Sequence, residues 1–215
     1  MITIDARNLS VKDVQNLLKI NRQNSQAFAD LLLLEPLTNE EQQKLELIRN
    51  SFNNYYIEGK ISEGQVKFLF LSPLLWLSGF YQPNIKITLE ENIADIIVED
   101  EDTLIKGRMD ILAFNKTPST SPLFWLLVIE AKNSSVEALE GLPQLLTYAY
   151  KSLDEQQSVW GLTTNGLRYQ FVYLQRDTSM YQLLPELNLL DIERSLQLLQ
   201  VLKAICKIQH TPTSG

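Results

Sequence analysis

Gly107-Arg108-Met109-Asp110 and Phe124-Trp125-Leu126-Leu127-Val128-Ile129-Glu130-Ala131-Lys132 decide how this chain folds, with nineteen residues between Asp110 and Glu130. The second stretch is six apolar residues that end abruptly in charge. A run this apolar is expected to be a strand buried on both faces of a sheet. Side chains two apart on a strand share a face, so Glu130 and Lys132 project together and Ala131 points away. At a rise of roughly 3.3 Å per residue, their Cα atoms lie about 6–7 Å apart. Asp110, at the end of a neighbouring strand, can join them. Two carboxylates and an ammonium at the end of an apolar sheet suit a metal-dependent hydrolytic site.

Downstream of this pair, Ser134 or Ser135 is expected to open a helix reaching about Leu153, with Gly141-Leu142-Pro143 in an early turn. Gln144 and Tyr148, four apart on it, share one face. Strands over Val159–Thr163 and Leu167–Leu174 flank Thr164-Asn165-Gly166, where Asn-Gly is a strong tight-turn signal. A short strand, Tyr181–Leu184, and an amphipathic helix, Leu189–Ile208, close the chain.

Upstream, Ile85, Ile87 and Leu89 alternate with Lys86, Thr88 and Glu90, the pattern of a half-buried strand. A second strand is expected over Ile93–Val98, then a solvated acidic turn, Glu99-Asp100-Glu101-Asp102. Lys116 to Pro122 is a loop by composition. The N-terminal part reads as helices. Ser10 is an N-cap for one to about Leu34, ended by Pro36. Thr38 with Glu41 forms a capping box for a second, to about Ile57, stopped by Gly59. A third runs from about Ser62 to Leu77, bent at Pro73. These signals give an α/β fold: a mixed β-sheet core flanked by helices over 61–209, a helical extension over 1–60, and a polar tail over 210–215.

At 215 residues and 45% apolar content, the chain suits one domain with a full core. It has no run of about 18 apolar residues, so no membrane span is expected. Met1 to Arg7 lacks the basic start and apolar core of a signal peptide, and a cytoplasmic location is expected. The single cysteine, Cys206, excludes an internal disulfide and a cysteine-rich zinc site. The one histidine, His210, sits in the polar tail, so chemistry that needs a histidine base is not expected. No Gly-x-x-x-x-Gly-Lys loop is present, and with it no nucleotide-driven motor. A net charge of −7 counts against a simple nucleic-acid binder, although Lys86, Lys106, Arg108, Lys116, Lys132, Arg168 and Arg176 fall within the core region.

Asp110, Glu130 and Lys132 together resemble the active-site signature of the PD-(D/E)xK nuclease superfamily, the restriction-endonuclease-like fold. Gln144-Leu145-Leu146-Thr147-Tyr148 is similar to the Gln-x-x-x-Tyr element of one branch, which includes the nuclease domain of type I restriction R subunits. Glu63, ahead of Leu69-Phe70-Leu71-Ser72-Pro73-Leu74-Leu75, resembles the helical acid that precedes a Pro-Leu-Leu segment in that branch. The likeness runs from Glu63 to Phe171, with Met109 where the signature has proline. It implies a Mg²⁺-dependent deoxyribonuclease, with Mn²⁺ as a substitute, acting on DNA in restriction or defence.

Asp110, Glu130 and the Ala131 carbonyl are then the expected metal ligands, with Glu63 completing the site or recruiting a second ion. Lys132 is expected to orient or deprotonate water, or to stabilise the transition state. Gln144 is expected near the metal, and Tyr148 near phosphate or Lys132. The acidic charge and missing motor imply help from a homodimer or a larger restriction complex. The alternative is a non-catalytic nucleic-acid-binding or assembly module that retains the fold. A third reading is cleavage of RNA, since nothing in the signature reads the sugar.

Each residue also has an ordinary explanation. Glu-x-Lys is commonly a solvated salt bridge, an isolated Asp a turn residue, and Gln144 and Tyr148 a helix surface residue and a half-buried aromatic. Glu63 fits equally well as a charge favoured at a helix N-terminus. Order, spacing and strand-strand-helix context make the case together.

Overall fold

The computed structural model describes residues 2–24, 26–92, 96–98, 102–116 and 124–208. In chain order, β1 (Ile2–Asp5) leads through a 3-10 turn to α1 (Val11–Leu18), β2 (Asn21–Gln23), α2 (Phe28–Leu31), α3 (Asn39–Glu58) and α4 (Glu63–Gln65). A π-helical stretch, Val66–Leu71, joins α4 to α5 (Ser72–Leu77). Then come β3 (Ile85–Asn92), β4 (Ile96–Val98), β5 (Thr103–Lys106), β6 (Arg108–Asn115) and β7 (Phe124–Ala131). Next are α6 (Leu142–Ser152), β8 (Ser158–Thr164), β9 (Arg168–Gln175), β10 (Met180–Leu183), β11 (Leu187–Asn188) and α7 (Ile192–Cys206).

The result is a mixed α/β protein. An eight-stranded sheet runs β2-β10-β9-β8-β7-β6-β3, with β11 beside β9, and a three-stranded sheet runs β1-β5-β4. Strands β7 and β8 pair in parallel, as do β10 with β2 and β1 with β5; the other pairings are antiparallel. The apolar run in β7 is buried on both sides, as its composition predicts. Ile111, Ala113, Leu127 and Ile129 face one core, shared with Phe52, Phe70, Leu74 and Leu198 from α3, the π stretch, α5 and α7. Leu112, Phe114 and Val128 face a second core, shared with Val14, Leu145, Tyr148 and Ile105.

Several local signals act as expected. The Thr38–Glu41 capping box opens α3, and Gly59, at φ 141°, stops it. Asn165-Gly166 turns β8 into β9, with Gly166 at φ 87°.

Other expectations are corrected. The single helix from Ser10 to Leu34 is instead α1, β2 and α2. Its Ser10–Asp13 capping box forms, but Lys19 turns left-handed at φ 53° and the chain leaves as a strand paired with β10. Asn21 and Asn24 are poor helix formers, and the tertiary pairing decides. The helix expected at Ser134 starts at Leu142. Ser134 and Ser135 serve the loop instead: the Ser134 hydroxyl accepts the Ile61 N–H at 2.8 Å, and the Ser135 N–H bonds the Asn133 side chain. Pro143, in the first turn, suits a helix start.

The bend expected at Pro73 takes the form of the π stretch before it. Proline brings no amide to the preceding turn, which widens. The residues of the polar tail, the acidic run 99–101, residues 93–95 and most of the Lys116–Pro122 loop lie outside the described residues. Among those described, no helix is long and apolar enough to cross a membrane.

Candidate active site

Strands β6 and β7 pair as far as Ile111↔Ile129. Beyond that point β6 stays with β3, through Met109↔Glu91, while β7 stays with β8, through Ala131↔Thr164. The strands therefore divide like a fork, and the amide freed on β7 is taken by a side chain. The Ala131 N–H donates to Asp110 Oδ2 at 2.8 Å. One acid thus sits at the end of each prong.

Glu63, Asp110, Glu130, Lys132 and Gln144 all line one open cleft of about 660 Å³ at this fork. Lys132 Nζ donates to Glu130 Oε1 at 2.8 Å and to Gln144 Oε1 at 2.7 Å. Gln144 Nε2 is 3.4 Å from Tyr148 Oη, a long contact. Tyr148 lies behind Gln144 rather than in the cleft wall, fully buried. Glycine at 107 leaves it room, since a Cβ there would stand 2.6 Å from the ring. Gly141 does the same for Glu130, whose Cγ a Cβ would approach to 2.9 Å. Ala131 contributes its backbone at the fork, its side chain buried.

Glu130 is only 3% exposed, and its Oε2 has no protein partner. Burial, then the neighbouring Asp110 carboxylate, push its pKa up to about 7 in spite of the Lys132 ammonium. One ammonium therefore does not offset the burial and the repulsion from Asp110. A hard divalent cation would supply the further positive charge, and the oxygen donors of Asp110 and Glu130 fit such an ion. Among the described residues, no three acidic, histidine or cysteine side chains form a group that could hold an ion. Carbonyl, water or substrate oxygens would complete its shell.

The structure adds residues that the sequence reading did not single out. Lys67 Nζ bridges Glu63 Oε1 at 2.9 Å and Asp110 Oδ1 at 3.1 Å. Burial pushes this ammonium down, but the hydrogen bond to Glu63 and the Asp110 charge prevail, and its pKa is raised. Its signal was the spacing of four from Glu63, acid first, which places the pair on one helix face. Asp5 and Arg7 line the cleft itself, joined at 2.6 Å and brought there by the β1–β5 pairing. Arg108, Lys106 and Asn92 complete the wall.

No protein-family model matches this chain, and no curated protein does either.

Proposed function

We propose that this chain is a metal-dependent deoxyribonuclease of the PD-(D/E)xK type, with a restriction-endonuclease-like fold similar to the nuclease domain of type I restriction R subunits. The observation that carries the reading is the fork, where Asp110 and Glu130 enter one cleft from two diverging strands with Lys132 held between Glu130 and Gln144. Asp110, Glu130 and the Ala131 carbonyl would hold Mg²⁺, or Mn²⁺ in its place. The ion would supply charge neutralisation at the phosphoryl oxygens and an acidified water.

The protein's own groups do the rest. Gln144 orients the Lys132 ammonium, and Tyr148 backs Gln144 from the core. Lys132 then holds the attacking water and offers positive charge to the phosphoryl group as its P–O bond breaks. Arg7 and Arg108, on the cleft wall, would meet flanking phosphates. With a net charge of −7, tight DNA binding calls for a second copy or a larger restriction complex in the cytoplasm.

Supercoiled plasmid incubated with Mg²⁺ or Mn²⁺ tests the reading. Metal-dependent nicking by the wild type, lost in Lys132→Met, supports it. Nicking that survives Lys132→Met refutes the site. The small number of converging acids favours one rival, a non-catalytic nucleic-acid-binding or assembly module. That rival predicts metal-independent DNA binding and no nicking.

A further inference from the structure

Lys67 lines up with the acids of the cleft, yet the proposed chemistry leaves it without a task. It stands on the π-helical stretch Val66–Leu71, and its ammonium bridges two carboxylates from different elements, Glu63 at 2.9 Å and Asp110 at 3.1 Å. Its side chain is 22% exposed, so the bridge is partly shielded from solvent. Two carboxylates bridged by one cation is the arrangement a divalent ion adopts in a two-ion hydrolytic site.

On the other side of Asp110 the situation differs. Glu130 Oε2 is buried and has no partner. Asp110 Oδ1 and Oδ2 each accept one hydrogen bond, from Lys67 and from the Ala131 amide, and each keeps a further lone pair. Oxygen lone pairs on Asp110 and Glu130 are therefore unused, while Glu63 and Asp110 are already bridged by positive charge.

Resting on the nuclease reading above, we infer that Lys67 stands in for a second metal ion, so the site takes one divalent cation, at Asp110 and Glu130, with a tethered ammonium in the other cation position. A tethered charge is present at an effective concentration that dissolved Mg²⁺ does not match. A second ion would have to displace both of its hydrogen bonds and accept an adjacent ammonium. Glu63 then serves the site through Lys67: it fixes the ammonium beside Asp110 and does not ligate the ion.

The test counts ions on the 215-residue chain. Mn²⁺ binding is followed by calorimetry and by the electron-spin signal of free Mn²⁺, at fixed pH, with a non-hydrolysable phosphorothioate oligonucleotide present. Wild type and Lys67→Arg are expected to bind one Mn²⁺ per chain. Lys67→Met, which keeps the apolar stem, is expected to bind two, the first at least about tenfold more tightly because a competing charge is gone. Glu63→Gln is expected to keep a count of one, and it decides the question if Lys67→Met does not fold.

Two ions on the wild type, one ion on a folded Lys67→Met, or no ion on Glu63→Gln would each overturn the inference and leave the nuclease reading intact. No ion on the wild type, even with oligonucleotide, would overturn the nuclease reading itself, and this inference with it.

Discussion

The Asp110 carboxylate accepts the Ala131 amide at 2.8 Å, so the strand bearing one acid is tied to the strand bearing the other. This bond replaces the ladder bond that is lost where the strands divide, and it sets the spacing of the cleft.

Asp110→Asn keeps an oxygen for that amide but loses the charge that pairs with Lys67. Its stability is expected to stay within about 1 kcal/mol of wild type, whereas Asp110→Ala orphans a buried amide and costs about 1–3 kcal/mol. Both are expected to lose nicking. Thermal unfolding beside the plasmid assay separates the two effects, and an active Asp110→Asn would remove this residue from the chemistry.

Glu130 opposes the stability of the metal-free protein. Its carboxyl titrates at about 7 when folded, against 4.5 ordinarily. Below the lower value both states are protonated and the group is neutral to stability. As pH rises from about 4.5 to about 7 the unfolded chain releases its proton first, so stability falls, and the loss is complete above that window. It amounts to something on the order of 3 kcal/mol. Glu130→Gln is therefore expected to abolish nicking yet raise the melting temperature at pH 8, with little gain at pH 4.5. A variant less stable than wild type at pH 8 would contradict this account.

Gly107→Ala places a methyl group 2.6 Å from the Tyr148 ring, which is too close to hold. Tyr148 must shift, and Gln144 and Lys132 with it. A loss of about 1–3 kcal/mol is expected from overpacking, together with slower cleavage. Unchanged stability would show that the tyrosine has slack.

Phe52, on α3, is fully buried and meets Phe70 edge-on at 5.0 Å between centroids. Phe52→Ala is expected to cost about 3–5 kcal/mol in a single cooperative transition. A separate early transition would instead mark α3 as an independent layer.

What could be read in advance was what is encoded locally. An apolar run ending in Glu-Ala-Lys, a capping box at Thr38 and Asn-Gly at 165–166 each carry their physics within a few residues. Gln144 and Tyr148 share a face because four residues span about one helical turn. The short strands gave no such warning: β1 has four residues and β2 three, and each is a strand because a distant partner receives it. Lys67 was hidden differently. In a helical pattern a lysine reads as solvated surface, and only the arrival of Asp110 from another element ties it to a residue of the cleft.

The pairing of β2 with β10 also bears on how the protein is made. Gln23 meets Gln182 across 159 residues of chain, so the edge of the large sheet cannot close until that intervening stretch has left the ribosome. At about 5–20 residues per second, β2 waits on the order of ten seconds or more for β10. Contacts of such separation are slow to form, and a strand that emerges long before its partner is open to wrong pairings in the interval. Recombinant synthesis at reduced temperature, which slows competing association, follows as the practical choice for obtaining this protein in native form.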